Sequence, residues 1–163
     1  MDSRLCLPLG GAIIIEPPTA DFATRRPDEQ VAARHKYPLQ NGDAMRIRQV
    51  LADMRNCNAL MEDENALREA AVAAAHAAGA TVIGEHAQRY VPHGVTFVLF
   101  LAESHIMLTT WPEYRLVMAD ILLCNAEMSE DAAIDEIARR ICPDGVVERS
   151  YVTRHIESLG TPA

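Results

Sequence analysis

The chain changes character near residue 45. Before it, apolar residues are interrupted by Pro8, Pro17, Pro18, Pro27 and Pro38 and by Gly10, Gly11 and Gly42, and no helical or alternating period survives. Residues 1–42 therefore read as an irregular extension, or as an ordered arm packed on the domain or on a second subunit, ahead of a domain spanning 43–163. Beyond it the periods are regular. Arg46–Asp53 reads as a strand, and the alanine-rich Glu62–Ala78 as a helix, with Asp63 as a plausible N-cap and Gly79 placed to end it. Ala80–Ala87 and Val95–Ala102 read as strands. The second is apolar throughout, which predicts burial on both faces or a tight sheet. His105–Trp111 and Leu116–Leu123 follow as strands. Ser129 can cap a helix through Ile141, whose Ala133, Ile134, Ile137 and Ala138 share a face, and Gly145–Val152 closes as a strand. The order β-α-β-β-β-β-α-β predicts an α+β fold, a two-layer α/β sandwich with a mainly antiparallel sheet and helices on one face.

Composition narrows the function classes. A length of 163 residues suits one domain, and 49% hydrophobic residues supply a core. Aromatics are only 5%, so a small-molecule site must be built from few rings. Fifteen Lys and Arg against 23 Asp and Glu give 15 − 23 = −8, with no long basic run. That balance argues against nucleic acid as a partner and is compatible with a cationic small molecule. Cys6, Cys57, Cys124 and Cys142 are scattered without a C-x-x-C pair, so no metal centre is expected and a reducing, cytoplasmic setting is. No apolar run approaches the ~20 residues of a membrane helix. Leu5–Ile15 is broken by Pro8, Gly10 and Gly11 and followed by Glu16-Pro17-Pro18, unlike a signal peptide, so neither secretion nor a membrane partner is expected.

The candidate chemistry lies in four stretches. They are Tyr90-Val91-Pro92-His93-Gly94-Val95-Thr96, Leu101-Ala102-Glu103-Ser104-His105, Thr109-Thr110-Trp111-Pro112-Glu113-Tyr114 and Ala119-Asp120-Ile121-Leu122-Leu123-Cys124. Polar residues here occupy positions where strands usually carry apolar ones. Taken singly, Ser104 could be an ordinary strand-end serine, Cys124 a buried thiol, Tyr90 and Trp111 core rings, and Glu113 a solvated turn residue.

As an ordered set, Leu-Ala-Glu-Ser-His, Thr-Trp-Pro-Glu-Tyr and Asp-Ile-x-x-Cys resemble the bacterial-type S-adenosylmethionine decarboxylase proenzymes, over roughly residues 45–152. The resemblance implies a self-cleaving precursor. Ser104 would attack the carbonyl of Glu103, converting an amide to an ester, and elimination and hydrolysis would leave a β chain of residues 1–103 and an α chain headed by a pyruvoyl group from Ser104. That group replaces pyridoxal phosphate. Its ketone condenses with the substrate amine, and the adjacent amide carbonyl accepts the electrons released by decarboxylation, which no ordinary side chain can do. The resemblance further implies that Cys124 reprotonates the substrate α-carbon, a role suited to a thiol with an ordinary pKa of ~8.5. Tyr90, where the family usually has phenylalanine, and Trp111 would stack on the adenine, and Glu113 would accept hydrogen bonds from the ribose hydroxyls. The product would serve spermidine synthesis, and a homodimer of αβ units with pockets near the interface is implied.

Two positions depart from the family. Thr109 stands where the family usually has the histidine that removes the α-proton during ester elimination, and Thr96 stands where it usually has a serine that assists maturation. A threonine keeps the hydroxyl at 96, but Thr109 cannot act as a base. Three outcomes stay open: another base substitutes, His93 or His105 being nearest in sequence; processing is slow; or the chain is a non-processing homologue that binds or regulates a partner. The same chemistry on ornithine or arginine is a further alternative, against which Trp111-Pro112-Glu113 speaks.

Overall fold

The computed structural model describes residues 45–125 and 127–156; the expected N-terminal extension, with Cys6 and Leu5–Ile15, lies outside the described residues. Its elements in chain order are β1 (Met45–Arg55), α1 (Glu64–Ala78), β2 (Val82–Arg89), β3 (Val95–Leu101), β4 (Ser104–Trp111), β5 (Leu116–Leu123), α2 (Glu130–Ile141) and β6 (Val146–Ile156). The six strands form one sheet in the order β2-β3-β4-β5-β1-β6, with every neighbouring pair antiparallel. This is the expected α+β sandwich, and the element order is the one read from the hydrophobic periods. The strands β1 and β6 run longer than their periods suggested, because they pair with each other along their whole length, from Met45 opposite Ile156 to Arg55 opposite Val146.

Side chains alternate across a strand, so a sheet covered on one side buries every second residue. Val50, Ala52 and Met54 of β1, Val95, Phe97 and Leu99 of β3, Ile106 and Leu108 of β4, and Val117, Ala119 and Ile121 of β5 are buried beneath the helices. Ala70, Ala71, Ala74, Ala75 and Ala78 of α1 and Ala133, Ile134, Ile137 and Ile141 of α2 complete that core. The small α1 side chains let its backbone approach both the sheet and α2, while the larger volumes come from the strands. The all-apolar β3 is not buried on both faces. Its even-numbered members Thr96 and Val98 are half-buried and Phe100 is 37% exposed, because among the described residues no helix covers the second face of the sheet.

The helix termini follow their local sequence. Asp63 accepts hydrogen bonds from the amides of Asn65 and Ala66, and Gly79 ends α1 at φ 78°. Ser129 accepts from the Ala132 amide at the start of α2. Glu130 in the next position is buried, and Arg48 of β1 donates to its Oε2 from Nη2 at 2.7 Å and from Nε at 3.2 Å, tying α2 to the sheet. No helix among the described residues is long and apolar enough to cross a membrane.

Gly145, which leads into β6, is packed so closely that a β-carbon there would overlap Cys142 Sγ and the Arg55 carbonyl oxygen. Gly145→Ala is therefore expected to lose about 1–3 kcal/mol of stability by overpacking, read as a lower midpoint in urea unfolding.

Candidate functional site

The uncovered face of the sheet carries the candidate residues, and strand register divides them into two groups. Thr96, Thr109, Met118, Asp53 and Glu148 lie side by side in one row across β3, β4, β5, β1 and β6. Val98, Met107, Asp120, Leu51 and Ser150 form the next row, and Phe100, His105, Leu122, Gln49 and Val152 the one after. An open cleft of about 450 Å³ runs along the face, floored by Leu51, Met107, Met118 and Trp111 and edged by Asp53, Asp120 and Glu148. Apolar floor and carboxylate rim suit a cation with apolar parts.

The first group stands at the Trp111 end. The Tyr90 hydroxyl donates to Thr96 Oγ1 at 3.3 Å, and Thr96 Oγ1 lies 3.3 Å from Thr109 Oγ1 on the neighbouring strand. Tyr90, Thr96 and Thr109 thus form one hydroxyl chain in which none of the three is a base. The loop behind Tyr90 closes through a hydrogen bond from the Tyr90 amide to the Gly94 carbonyl. Gly94 has φ 101°, and a β-carbon there would come within 3.2 Å of the Thr110 carbonyl oxygen. Only glycine both adopts that backbone and permits that approach. Buried Thr110 in turn accepts from the Val95 amide through Oγ1 at 2.9 Å. Pro112–Tyr114 form a short 3-10 turn, which leaves Trp111 43% and Tyr114 70% exposed with ring centroids 6.5 Å apart. His93 Nε2 lies 3.4 Å from Glu113 Oε1, so these two side chains share the same end.

The second group stands at the other end of β4. Residues 102 and 103 make a two-residue turn between paired Leu101 and Ser104. The turn is tied to the start of β2, because the Thr81 amide donates to Glu103 Oε2 at 3.0 Å and the Ala102 amide to the Thr81 carbonyl at 2.9 Å. Ser104 leaves this turn with φ 146°, a backbone that L-residues rarely adopt. Neighbouring residues in a regular strand point to opposite faces. The departure at Ser104 is what lets its Oγ reach the ring of His105, at 3.1 Å from Nδ1. The other ring nitrogen, Nε2, lies 3.7 Å from Asp120 Oδ1. Leu123, the residue opposite Ser104 in β5, immediately precedes half-buried Cys124.

Of the sequence-derived residues, the structure therefore brings Tyr90, Thr96 and Thr109 together, with Trp111 and Glu113 at the same end, and Glu103, Ser104 and Cys124 at the opposite end. From Ser104 to Thr109 is five residues along one strand, about 16 Å at ~3.3 Å per residue. Of the two histidines that could replace the missing base, His105 touches Ser104, whereas His93 is held against Glu113. Asp120 was visible in the Asp-Ile-x-x-Cys motif without a role. Neither Gln49 nor Arg154 belongs to a motif, and the one signal at Gln49 is a polar residue alternating with the buried Val50, Ala52 and Met54 of β1. Cys57 and Cys142 are buried, as expected for small apolar groups, and burial together with a hydrogen bond to Cys142 pushes the Cys57 thiol up to about 12.

The crystal structure of adenosylmethionine decarboxylase from Aquifex aeolicus matches this fold with a TM-score of 0.62 and 28% identity, over 74% of this chain and 99% of that one. In sequence, the S-adenosylmethionine decarboxylase proenzyme of Thermosipho melanesiensis is 25% identical over 116 residues, 71% of this chain and 89% of the relative. That of Methanococcus maripaludis strain C5 is 32% identical over 98 residues, 60% and 80% respectively. The family model for S-adenosylmethionine decarboxylase matches residues 48–155, and the chain belongs to that family.

The thiols are expected to differ in reactivity. At pH 8 a thiol titrating near 12 is thiolate in only about one molecule in 10,000. Brief alkylation of the native protein with iodoacetamide should therefore label half-buried Cys124 well ahead of Cys57, as read by peptide mass mapping; equal labelling would contradict this placement.

Proposed function

We propose that this protein is a self-processing S-adenosylmethionine decarboxylase, cleaved between Glu103 and Ser104, that produces decarboxylated S-adenosylmethionine for spermidine synthesis. Family membership supports the reaction and substrate. The observation that carries the self-processing part is Ser104 itself, a serine at the exit of a tight turn with φ 146° and a histidine nitrogen on its hydroxyl. A strained peptide link beside a hydroxyl already engaged by a proton acceptor suits an amide-to-ester shift. The chemistry of the donor set also fits a pyruvoyl group made there. Serine supplies the β-oxygen that attacks and then leaves, and the turn holds the preceding Glu103 carboxylate away on the Thr81 amide.

A pyruvoyl group at residue 104 would supply the electron sink for the carbanion left by loss of carbon dioxide. The chain's own residues do the rest. Tyr90 and Trp111 offer ring faces for adenine, Glu113 offers two acceptor oxygens for ribose hydroxyls, and the acidic rim of the cleft favours a sulfonium cation. Cys124, beside the strand end opposite Ser104, is the proton donor to the α-carbon. Thr96 keeps a hydroxyl for maturation, and Thr109 serves only as a hydroxyl partner of Thr96.

The two groups of site residues, some 16 Å apart on one face by strand rise, favour a homodimer of αβ units. A two-fold axis lying across the strands and stacking two uncovered faces would bring the Ser104 end of one subunit to the aromatic end of the other. The apolar residues on that face, Leu51, Phe100, Met118 and Val152, are each 37–42% exposed in the single chain and would be covered. The resulting enzyme is expected in the cytoplasm. Every relative described above is an S-adenosylmethionine or adenosylmethionine decarboxylase, so ornithine and arginine are not favoured as substrates.

Intact-mass measurement of purified protein should show two chains, residues 1–103 and the remainder, with Ser104→Ala staying whole. An uncut wild-type chain releasing no carbon dioxide from carboxyl-labelled S-adenosylmethionine would refute the proposal. Trp111→Ala should still cleave itself in the precursor yet raise KM for S-adenosylmethionine about tenfold or more, given ~1–3 kcal/mol for stacking a base on a ring; an unchanged KM removes Trp111 from the substrate site.

A further inference from the structure

Several features outside the residues already assigned were candidates for chemistry: the His93–Glu113 pair, the buried Cys57 and Cys142 thiols, the Arg48–Glu130–Asp131 ion-pair network, and a polar line across the uncovered face. The polar line goes furthest. It starts at Ser104 Oγ, 3.1 Å from His105 Nδ1, and continues from His105 Nε2 to Asp120 Oδ1 at 3.7 Å. Gln49 Nε2 donates to that same Asp120 oxygen at 2.6 Å, and Arg154 Nη2 donates to Gln49 Oε1 at 2.9 Å. Four strands contribute, β4, β5, β1 and β6, and the two hydrogen bonds at Gln49 fix which way its amide points. Arg154 can only donate, so Gln49 must present its oxygen to it and its NH₂ to Asp120. Asp120 accepts from Gln49 and keeps the same oxygen 3.7 Å from His105 Nε2. With its proton on Nε2, on the Asp120 side, His105 turns the Nδ1 lone pair to the serine hydroxyl.

We infer that His105 is the catalytic base of the first processing step, and that Asp120, Gln49 and Arg154 are positioning residues that hold it in the required tautomer. The inference rests on the self-processing reading above and adds the group that performs its opening step. The Ser104 hydroxyl proton passes to His105 Nδ1 as Oγ bonds to the Glu103 carbonyl carbon. The carbon–nitrogen bond to Ser104 then breaks, and the departing amine takes the proton back from Nδ1. Amide becomes ester, one proton has moved from oxygen to nitrogen, and no co-reactant is consumed. A nucleophile, a base in contact with it and a third group orienting the base is the general arrangement for activating a serine hydroxyl. At the far end of β4, Thr109 Oγ1 lies against the Thr96 hydroxyl, and His93 is held against Glu113.

The experiment follows chain cleavage by intact mass in freshly purified wild type, His105→Gln, His105→Ala and Asp120→Asn, with and without hydroxylamine, which cuts an ester at Ser104 but not an amide. Far-UV circular dichroism identifies any variant that fails to fold, and the two His105 variants are read independently. His105→Gln and His105→Ala are expected to cleave at least 100-fold more slowly and to stay whole in hydroxylamine. Asp120→Asn should slow cleavage at least tenfold. In the uncut Ser104→Ala background, the imidazole nitrogen shifts of His105 should report the Nε2–H tautomer, and adding Asp120→Asn should populate the other one. Wild-type cleavage with equally fast cleavage in both His105 variants, or hydroxylamine cutting of those variants at 103–104, overturns the inference and leaves the self-processing reading intact. An identical tautomer with and without Asp120→Asn removes the positioning role. A wild-type chain that never cleaves, even in hydroxylamine, defeats the self-processing reading itself.

Discussion

Among the described residues, two helices cover one face of a six-stranded sheet and none covers the other, and most of the molecule's chemistry depends on that asymmetry. On the covered side, alternate strand residues meet α1 and α2 in an apolar core. On the bare side the same strands are free to carry Gln49, Asp53, Thr96, His105, Thr109 and Asp120, because a polar group there has water or a neighbouring strand to satisfy it. Antiparallel pairing then does the positioning. Residues opposite one another share a face, so Thr96 meets Thr109, and the diagonal between adjacent rows brings His105 toward Asp120 and Asp120 toward Gln49. Each contact is made by rigid strands, which hold side-chain geometry better than loops.

Where the chain leaves regular structure, it does so at the reactive residues. The turn at 102–103 is as short as a hairpin allows, and Ser104 absorbs the resulting backbone distortion at φ 146°. The Tyr90–Gly94 loop and the Pro112–Tyr114 turn occupy the opposite end of β4, where they lift aromatic rings and a carboxylate off the sheet. Strand length thus sets the distance between the bond to be broken and the surface that would hold a nucleoside.

Most of the architecture was legible from residue pattern, for definite reasons. Asp63 and Gly79 bracket α1 and Ser129 opens α2, so capping chemistry marked those termini, and Leu116–Leu123 showed its boundaries directly. That β3 left two readings open, burial on both faces or a tight sheet, has an equally definite cause. Val98 and Phe100 are apolar on the uncovered face, and an apolar side chain does not reveal what covers it. For the site, the motif residues could be named but not grouped. Strand order β2-β3-β4-β5-β1-β6 is not chain order, so nothing in the linear sequence puts Gln49 and Arg154, 105 positions apart, one side chain from each other. His105 and His93 were equivalent as candidates until the irregular backbone at Ser104 and the Glu113 contact separated them.

The same strand order has a consequence for what a broken backbone would do. A cut between 103 and 104 puts β1, β2, β3 and α1 on one fragment and β4, β5, β6 and α2 on the other. Those fragments are interlaced rather than adjacent: β3 is bonded to β4, and β1 is inserted between β5 and β6. Their helices also meet across the shared core. Scission would therefore free a chain end without freeing a chain, and the new terminus would stay clamped in the sheet where the old peptide bond had been.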